Sequence, residues 1–370
     1  MIFTMNNQSL LEGLSIVTRA LAPRSSKQIL EGVFLTAHED RVTMVCSDGN
    51  FSITYTDEAA VSEEGTAVLP GRLFLELIRK MPAGDVKISV TDQRSATIRC
   101  MNNRSSVAVM NAAEYPEIPT VRGGVPVKIP QKKLKDMVSH ALFAIATDEN
   151  RAILTGSLLE VSANEARIVA LDGFRLSLQK LNQPFENLPA EAVKAVIPGK
   201  FMAELSRILA DDESFCSIML DRGMVQCAFG NIMMSGSLLI GEFIDYRKII
   251  PTEYKTEVKV DRRQLEESIE RASLMAREGK NNLIRMSFRQ EELTVTSNAE
   301  MGNVEEKISV ALTGEELDIA FNARYIMDVV RNVSQDELIM RFNSSVSPCV
   351  IYPQSGDDYL YLILPVRVYR

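Results

Sequence analysis

Histidine and the sequence motifs that carry most enzyme chemistry are scarce in this 370-residue chain. Only two histidines are present, His38 and His140, and neither lies at a spacing such as H-x3-H that holds zinc. The sequence contains no C-x-x-C pair, no G-x-x-x-x-G-K-[ST] phosphate loop, no G-x-G-x-x-G and no G-x-S-x-G. We therefore expect no catalytic residue, no metal site and no cofactor, and we interpret the chain as a binding or structural protein.

One carboxylate cluster, Asp211-Asp212-Glu213, keeps an enzymatic alternative open. Such a cluster could hold Mg²⁺ in a nuclease or another DNA-processing enzyme if further carboxylates converge on it. It directly follows an apolar helical run, so a solvated turn is the simpler interpretation. A scaffold that binds only proteins is the third hypothesis.

Composition limits the class of protein. Hydrophobic residues make up 46% and charged residues 24%, which is typical of a folded chain. No apolar run approaches the roughly 18 residues of a membrane span, and the N-terminus lacks the pattern of a secretory signal. Five scattered cysteines indicate reduced thiols, so we expect a cytoplasmic protein. The net charge of −8 argues against a simple basic coat for nucleic acid.

The elements that would position a site repeat three times along the chain. Three stretches carry apolar residues at i, i+4, i+7 and i+11, the pattern of one buried helix face. They are Leu10-Leu14-Val17-Leu21, Leu134-Val138-Ala141-Ile145 and Leu265-Ile269-Ala272-Ala276. Their starts lie 124 and 131 residues apart.

A second series of predicted helices repeats its charges at nearly the same period. Each helix has a basic residue at i, an acidic residue at i+4 and a basic residue at i+7, all on one face. The three sets are Arg72-Glu76-Arg79, Lys200-Glu204-Arg207 and Arg324-Asp328-Arg331. We predict that the opposite faces are apolar, through Leu73 and Leu77, Phe201 and Leu205, and Tyr325 and Val329.

Turns repeat as well, at Asp48-Gly49-Asn50, Asp172-Gly173-Phe174 and Asn298-Ala299-Glu300, with short strands on either side. Linkers are predicted near Pro119–Pro130 and Pro251–Val260, where proline and glycine cluster or the repeating pattern breaks. We therefore predict an α+β protein of three similarly folded domains, each with two helices and about eight strands. The predicted domains are residues 1–124, 125–252 and 253–370.

The triple repeat and four motifs resemble the bacterial DNA polymerase III beta subunits, the sliding clamps. The motifs are Asp172-Gly173-Phe174-Arg175-Leu176, Phe243-Ile244-Asp245-Tyr246-Arg247, Phe321-Asn322-Ala323-Arg324-Tyr325 and Leu364-Pro365-Val366-Arg367. The resemblance implies the DNA clamp fold, in which a head-to-tail homodimer forms a six-domain ring around duplex DNA. It further implies sequence-independent DNA binding, and a ring that tethers the replicative polymerase and other clamp-binding-motif proteins. A separate clamp-loader ATPase would open that ring.

Four positions depart from the family pattern. Ile244 stands where many members have proline, and Phe174 stands where the second-domain motif often has histidine. Some members place tyrosines near DNA after the arginine that matches Arg151, whereas this chain has Ala152 and Ile153.

The repeat and the resemblance together assign three sets of site residues. Basic residues expected to face DNA are Arg24, Arg72, Arg79, Lys200, Arg207, Arg324 and Arg331. Dimer-interface candidates are Arg104, Ser105 and Val107 on the first domain, and Leu274, Met275, Glu305 and Glu306 on the third. A groove for partner peptides would comprise Leu154, Gly173, Phe174, Arg175, Leu176, Ile244, Lys248, Ile249, Tyr325, Pro348, Ile363, Leu364, Pro365, Val366 and Arg367. We expect Pro365 to end strand pairing and to leave Leu364, Val366 and Arg367 free at an edge.

Overall fold

The computed structural model describes residues 1–22, 27–91, 94–121, 123–186, 188, 192–221, 223–279 and 282–367. It forms two compact units, Met1–Lys135 with Glu204–Leu238, and Asp136–Ala203 with Leu239–Arg370. The mixed helix and strand content confirms the predicted α+β class. No helix among the described residues is long and apolar enough to cross a membrane.

Six α-helices are described, and they alternate between the two predicted series. Their bounds are Asn7–Val17 (α1), Gly71–Lys80 (α2), Gln131–Leu142 (α3), Gly199–Ile208 (α4), Arg262–Glu278 (α5) and Ala323–Arg331 (α6). Side-chain caps fix some of the starts, since Asn6, Asp261 and Asn322 accept backbone N–H groups at the beginning of α1, α5 and α6. The predicted helices are thus confirmed. Leu21 and Ile145 lie beyond the ends of their helices.

Short strands fill the rest of each repeat. The first strands are Ile2–Asn6 (β1), Gly32–His38 (β2), Arg41–Ser47 (β3), Phe51–Glu58 (β4), Ala60–Glu63 (β5), Gly65–Pro70 (β6), Asp85–Val90 (β7), Ser95–Cys100 (β8) and Asn103–Ala108 (β9). The middle strands are Val127–Pro130 (β10), Gly156–Ser162 (β11), Glu165–Leu171 (β12), Arg175–Asn182 (β13), Val193–Pro198 (β14), Phe215–Asp221 (β15), Met224–Phe229 (β16) and Ile232–Ser237 (β17). The last strands are Thr256–Asp261 (β18), Leu283–Phe288 (β19), Glu292–Ala299 (β20), Gly302–Gly314 (β21), Leu317–Asn322 (β22), Glu337–Phe342 (β23), Cys349–Tyr352 (β24) and Tyr359–Ile363 (β25).

The strands pair antiparallel in three sheets. The first unit contains a five-stranded sheet, β5-β1-β7-β8-β9, and an eight-stranded sheet, β10-β15-β16-β17-β4-β3-β2-β6. The second unit contains a twelve-stranded sheet, β14-β11-β12-β13-β25-β24-β23-β18-β21-β20-β19-β22. Apolar side chains of α5 and α6 pack with this sheet in one core, in which the Phe288 and Phe342 rings lie 5.0 Å apart.

The predicted apolar face of α2 is wrong at Leu73, whose side chain is 51% exposed. Leu77 is only partly buried, whereas Phe74 and Ile78 are fully buried. Successive helical residues are rotated by about 100°, so Phe74 and Ile78 form a neighbouring row on the same helix. In α4 both of the corresponding rows are buried, so its buried face is wider than that of α2. The sequence pattern alone does not show this difference in width.

Two other boundaries differ from prediction. The third repeated turn lies later than predicted, at Glu300-Met301, because β20 continues through Ala299. The linkers are shorter than predicted, since β10 and β18 occupy much of both. In each case backbone pairing with a neighbouring strand extends regular structure into a segment whose composition indicated a turn or a linker.

Two isoleucines of the second unit provide a matched test of this core. Ile269 on α5 is fully buried, whereas Ile240 is 96% exposed. We expect Ile269→Ala to lower the free energy of unfolding by about 2–5 kcal/mol, because it leaves a cavity. Ile240→Ala should change it by less than about 0.5 kcal/mol. Urea denaturation followed by circular dichroism measures both, and equal effects would contradict the described packing.

Candidate functional site

The basic residues predicted on α2, α4 and α6 are exposed, as expected for one helix face. They are Arg72, Arg79, Lys200, Arg207, Arg324 and Arg331. Arg24 lies outside the described residues. Because the opposite face of each helix is buried, these cations stay in water and keep their hydration free energy, which a buried charge would lose.

The acidic residue of the repeated charge pattern pairs with an arginine of its own helix in the first two repeats, but not in the third. In α2, Glu76 pairs with Arg79, and in α4, Glu204 pairs with Arg207. Glu204 also accepts a hydrogen bond from Arg19 at 3.2 Å. These pairs partly neutralise the basic face of their own helices.

In α6, Asp328 instead pairs with Arg175, which belongs to β13. Arg331 then finds its partners on α5, where it lies 3.1 Å from Glu266 and 3.3 Å from Glu270. Arg175 and Asp328 are 153 residues apart in sequence, and no local pattern predicts their contact.

A cleft of about 400 Å³ lies between α5 and α6. Its lining is mostly polar and includes three arginines and two carboxylates. The lining residues are Glu270, Ser273, Arg277, Asn282, Ala323, Arg324, Met327, Asp328 and Arg331. Prediction from sequence missed this cleft, although the basic residues Arg277, Arg324 and Arg331 are visible in the helical patterns.

The chain's end connects two parts of the second unit. β25 ends at Ile363, and the backbone N–H of Leu364 then donates to the Phe174 carbonyl at 2.8 Å. The N–H of Val366 donates to the Ala320 carbonyl, also at 2.8 Å. The prediction that Leu364 and Val366 are free at an edge is therefore wrong, because both backbones are hydrogen bonded beyond the strand.

An exposed aromatic platform lies beside this terminal segment. The Phe174 ring is 54% exposed and stacks on Tyr325, with ring centroids 5.4 Å apart. Asp172 fixes the turn, since its carboxylate accepts the N–H groups of Phe174 at 2.9 Å and Arg175 at 3.0 Å. Gly173 has a φ of +92°, a conformation that glycine adopts without strain.

The remaining groove candidates divide into exposed and buried residues. Exposed or partly exposed members are Gly173, Ile244, Lys248, Ile249, Leu364, Pro365, Val366 and Arg367. Leu154, Leu176 and Ile363 are buried beneath this surface, so their part in the groove stays a prediction. Leu154 lies in the short helical segment Glu149–Thr155, Leu176 on β13 and Ile363 on β25. Pro348 lines a small hollow with Tyr254 and Arg341.

Arg175 is also buried, with only 8% of its surface exposed. Its Nε donates to Asp172 at 3.0 Å, and its guanidinium carbon lies 4.8 Å from the Tyr325 ring centroid and 5.4 Å from that of Phe143. With Asp328 as a further partner, its donors point inward. Arg175 is thus a support beneath the platform and not an exposed ligand of a peptide.

The predicted first-domain interface lies on an edge strand. Within the described residues, β9 pairs only with β8. Arg104 is exposed and Ser105 partly buried, but Val107 is only 3% exposed. Because side chains alternate along a strand, Val107 points into its own core, and its prediction as a surface contact is wrong.

The predicted third-domain interface combines α5 and β21. Leu274 is exposed and Met275 partly buried. Residues 302–309 of β21 pair with β20, whereas only residues 310–314 pair with β18. Arg271 donates to the Glu306 carboxylate at 2.9 and 2.6 Å and lowers the pKa of Glu306. Glu305 points to the opposite face of the strand and is exposed.

The carboxylates of the nuclease hypothesis lie in an exposed turn after α4, as the simpler interpretation predicted. Asp212 accepts hydrogen bonds from the Ser214 hydroxyl and backbone, which lower the pKa of Asp212. Among the described residues, no group of three or more His, Cys, Asp and Glu side chains could hold a metal ion. All five cysteines are buried and unpaired.

Comparisons with known proteins match the whole chain. Models of the DNA polymerase III beta subunit match in order: the N-terminal domain at residues 1–119, the central domain at 128–245 and the C-terminal domain at 247–367. A beta sliding clamp of Staphylococcus aureus (strain Mu50) is 32% identical over 377 residues, 99% of each chain. The solved DNA polymerase sliding clamp from Bacillus subtilis is 32% identical with a TM-score of 0.95, and covers 100% of both chains. The solved DNA polymerase III beta subunit from Thermotoga maritima is 28% identical with a TM-score of 0.92, and also covers 100% of both chains.

Proposed function

The chain belongs to the DNA polymerase III beta subunit family, the sliding clamps, and from this premise we propose how its surfaces act. It has the three-domain DNA clamp fold, and it is a processivity factor that tethers a DNA polymerase, not an enzyme. In our proposal two chains close head-to-tail into a six-domain ring around duplex DNA in the cytoplasm. The domains are residues 1–124, 125–252 and 253–370. The observation that carries the proposal is the exposed basic residue near the start of α2, α4 and α6.

DNA would contact this repeated basic face through its phosphates. Arg72, Lys200 and Arg324 lie at equivalent positions, and a helix face has no preference for particular bases when only phosphates are contacted. Arg24, Arg79, Arg207 and Arg331 complete the proposed set. Glu76 and Glu204 reduce the charge of the same face, which keeps the attraction weak enough for sliding.

The proposed dimer joins the free edge of β9 to the half of β21 that has one partner strand. If β9 and β21 of two chains pair in one continuous sheet, the helices of both chains lie on the same side of it. Exposed Arg104 and Glu305 would then both lie on the opposite, outer face of this sheet. Glu306 is on the helix side and already pairs with Arg271, so Glu305 is the better partner for Arg104. Leu274 would supply the apolar contact on the helix side.

Partner proteins would bind at the platform formed by Phe174, Tyr325 and the terminal segment Leu364–Arg367. Exposed apolar side chains at Phe174, Ile244, Ile249 and Leu364 suit an extended peptide with hydrophobic anchors. Micromolar affinity, roughly 8 kcal/mol, lets partners exchange. The replicative polymerase, the clamp-loader ATPase and other clamp-binding-motif proteins would therefore compete for one groove.

DNA binding should weaken equally on unrelated sequences when proposed phosphate contacts are removed. Each of Arg72→Ala and Lys200→Ala should reduce the slope of log K against log salt by about 0.9 for each of the two chains of the ring that loses a phosphate contact. Combining Arg24→Ala with Lys200→Ala should reduce it further. Arg41→Ala, at an exposed arginine of β3 outside the proposed DNA, dimer and partner surfaces, is the matched control and should leave the slope unchanged. Anisotropy of two labelled duplexes measures this, and a loss confined to one sequence would refute phosphate contact.

Subunit association should depend on Leu274. Leu274→Glu places a charge in the proposed apolar contact, so we expect a folded monomer where the unchanged chain is a dimer. Val346→Glu, at another exposed apolar residue, should remain dimeric. Sedimentation equilibrium measures the mass. A dimer that persists in Leu274→Glu would place the interface elsewhere.

Peptide binding should depend on Phe174. Phe174→Ala removes an exposed ring and should weaken a polymerase-tail peptide about tenfold or more in calorimetry. Phe215→Ala is the matched control, since Phe215 is 57% exposed on β15. Deleting Leu364–Arg370 should abolish binding and leave the dimer intact. Unchanged affinity in Phe174→Ala and in the truncated chain would show that the groove lies elsewhere.

A further inference from the structure

Asp328 lies where two proposed surfaces meet. It lines the α5–α6 cleft with Arg324 and Arg331, and it also pairs with Arg175 beneath the Phe174–Tyr325 platform. Its side chain is about one-third exposed, so the carboxylate is accessible from the cleft.

The carboxylates at the equivalent positions of the other repeats pair with an arginine of their own helix, although Glu204 also accepts a hydrogen bond from Arg19. Glu76 pairs with Arg79 and Glu204 with Arg207, each with the arginine one turn later on its own helix. Asp328 has the same spacing to Arg331, and it lies four residues after Arg324. Helical neighbours at i+3 and i+4 attract each other when their charges are opposite. A released Asp328 would therefore be attracted to Arg324, since Arg331 already pairs with Glu266 and Glu270.

We propose that Arg175 is a positioning residue for DNA binding: it holds the Asp328 carboxylate on the platform side and leaves Arg324 of α6 available to a DNA phosphate. Two observations support this role. Arg175 is buried and fixed by Asp172 and by two aromatic rings, so its position is defined. Arg331 has Glu266 and Glu270 as its partners and not Asp328.

The inference rests on the proposed DNA-facing role of α6. It also connects DNA binding at α6 with partner binding at the groove. The Tyr325 ring contacts both groups: its centroid lies 5.4 Å from that of exposed Phe174 and 4.8 Å from the guanidinium carbon of buried Arg175. Any partner that shifts this ring shifts a neighbour of Arg175. Coupling between two binding sites is reciprocal, so DNA would affect the partner groove to the same extent.

The test measures binding of a fluorescein-labelled duplex by the full chain over a series of salt concentrations. Arg175→Met should reduce the slope of log K against log salt by up to about 0.9 for each chain of the ring, the value for one phosphate contact. Asp328→Asn should preserve the slope, and the double variant R175M/D328N should match Asp328→Asn. Arg175→Lys keeps a positive charge beside Asp328 and should bind more like the unchanged chain than Arg175→Met does.

Two outcomes would overturn the inference: an unchanged slope in Arg175→Met, or a double variant as weak as Arg175→Met. If Arg175→Met does not fold, the slope of Asp328→Asn is compared with that of R175M/D328N. Neither variant has a carboxylate at position 328, so a role of Arg175 through Asp328 predicts equal slopes. Unequal slopes in these two variants would refute action through Asp328. Arg324→Ala separates the two hypotheses: if it lowers the slope and Arg175→Met does not, only the role of Arg175 fails. If Arg324→Ala has no effect, the DNA-facing role of α6 fails.

Discussion

Burial of one apolar stripe on each helix determines which charges this protein presents. Full burial of a side chain such as Ile269 or Phe74 is worth roughly 1.5–3 kcal/mol, so the stripe fixes the rotation of its helix on the sheet. Once that rotation is fixed, Arg72, Lys200 and Arg324 must project into water. The cost of removing a guanidinium from water prevents the opposite rotation. The basic faces are thus a consequence of core packing.

A net charge of −8 is compatible with a protein that surrounds DNA. A ring that slides needs diffuse attraction to phosphates, and its closed topology, not its affinity, keeps it on the duplex. Strong attraction would slow movement along DNA, because each neutralised phosphate adds to the binding free energy. In the proposed DNA contact, partial neutralisation by Glu76 and Glu204, together with an acidic total, would keep DNA attraction local to the helix faces.

The sequence predicts local periodic features well and contacts between distant segments poorly. The six helices, their repeat and the charge pattern are visible because each depends on spacing of three or four residues. Leu73 was misassigned because the width of a buried stripe depends on what packs against it. Val107 and Leu364 were misassigned for a similar reason, since neighbouring strands and the turn at Phe174 determine their surroundings. The pairing of Arg175 with Asp328 joins residues that only the folded sheet brings together.

The charges on the two free strand edges, β9 and the one-sided part of β21, favour head-to-tail association of two chains. Free strand edges can pair with any similar edge, and natural proteins restrict this with charged residues. Arg104 and its neighbour Arg99 make the β9 edge basic, so two β9 edges repel each other. On the one-sided part of β21, Arg271 balances Glu306 and Lys307 pairs with Glu292, so Glu305 is the acidic residue that faces an approaching strand. Of the pairings between these two described edges, β9 against β21 brings opposite charges together through Arg104 and Glu305. Such a contact uses two different surfaces, and it closes into a ring only when two copies satisfy both contacts at once.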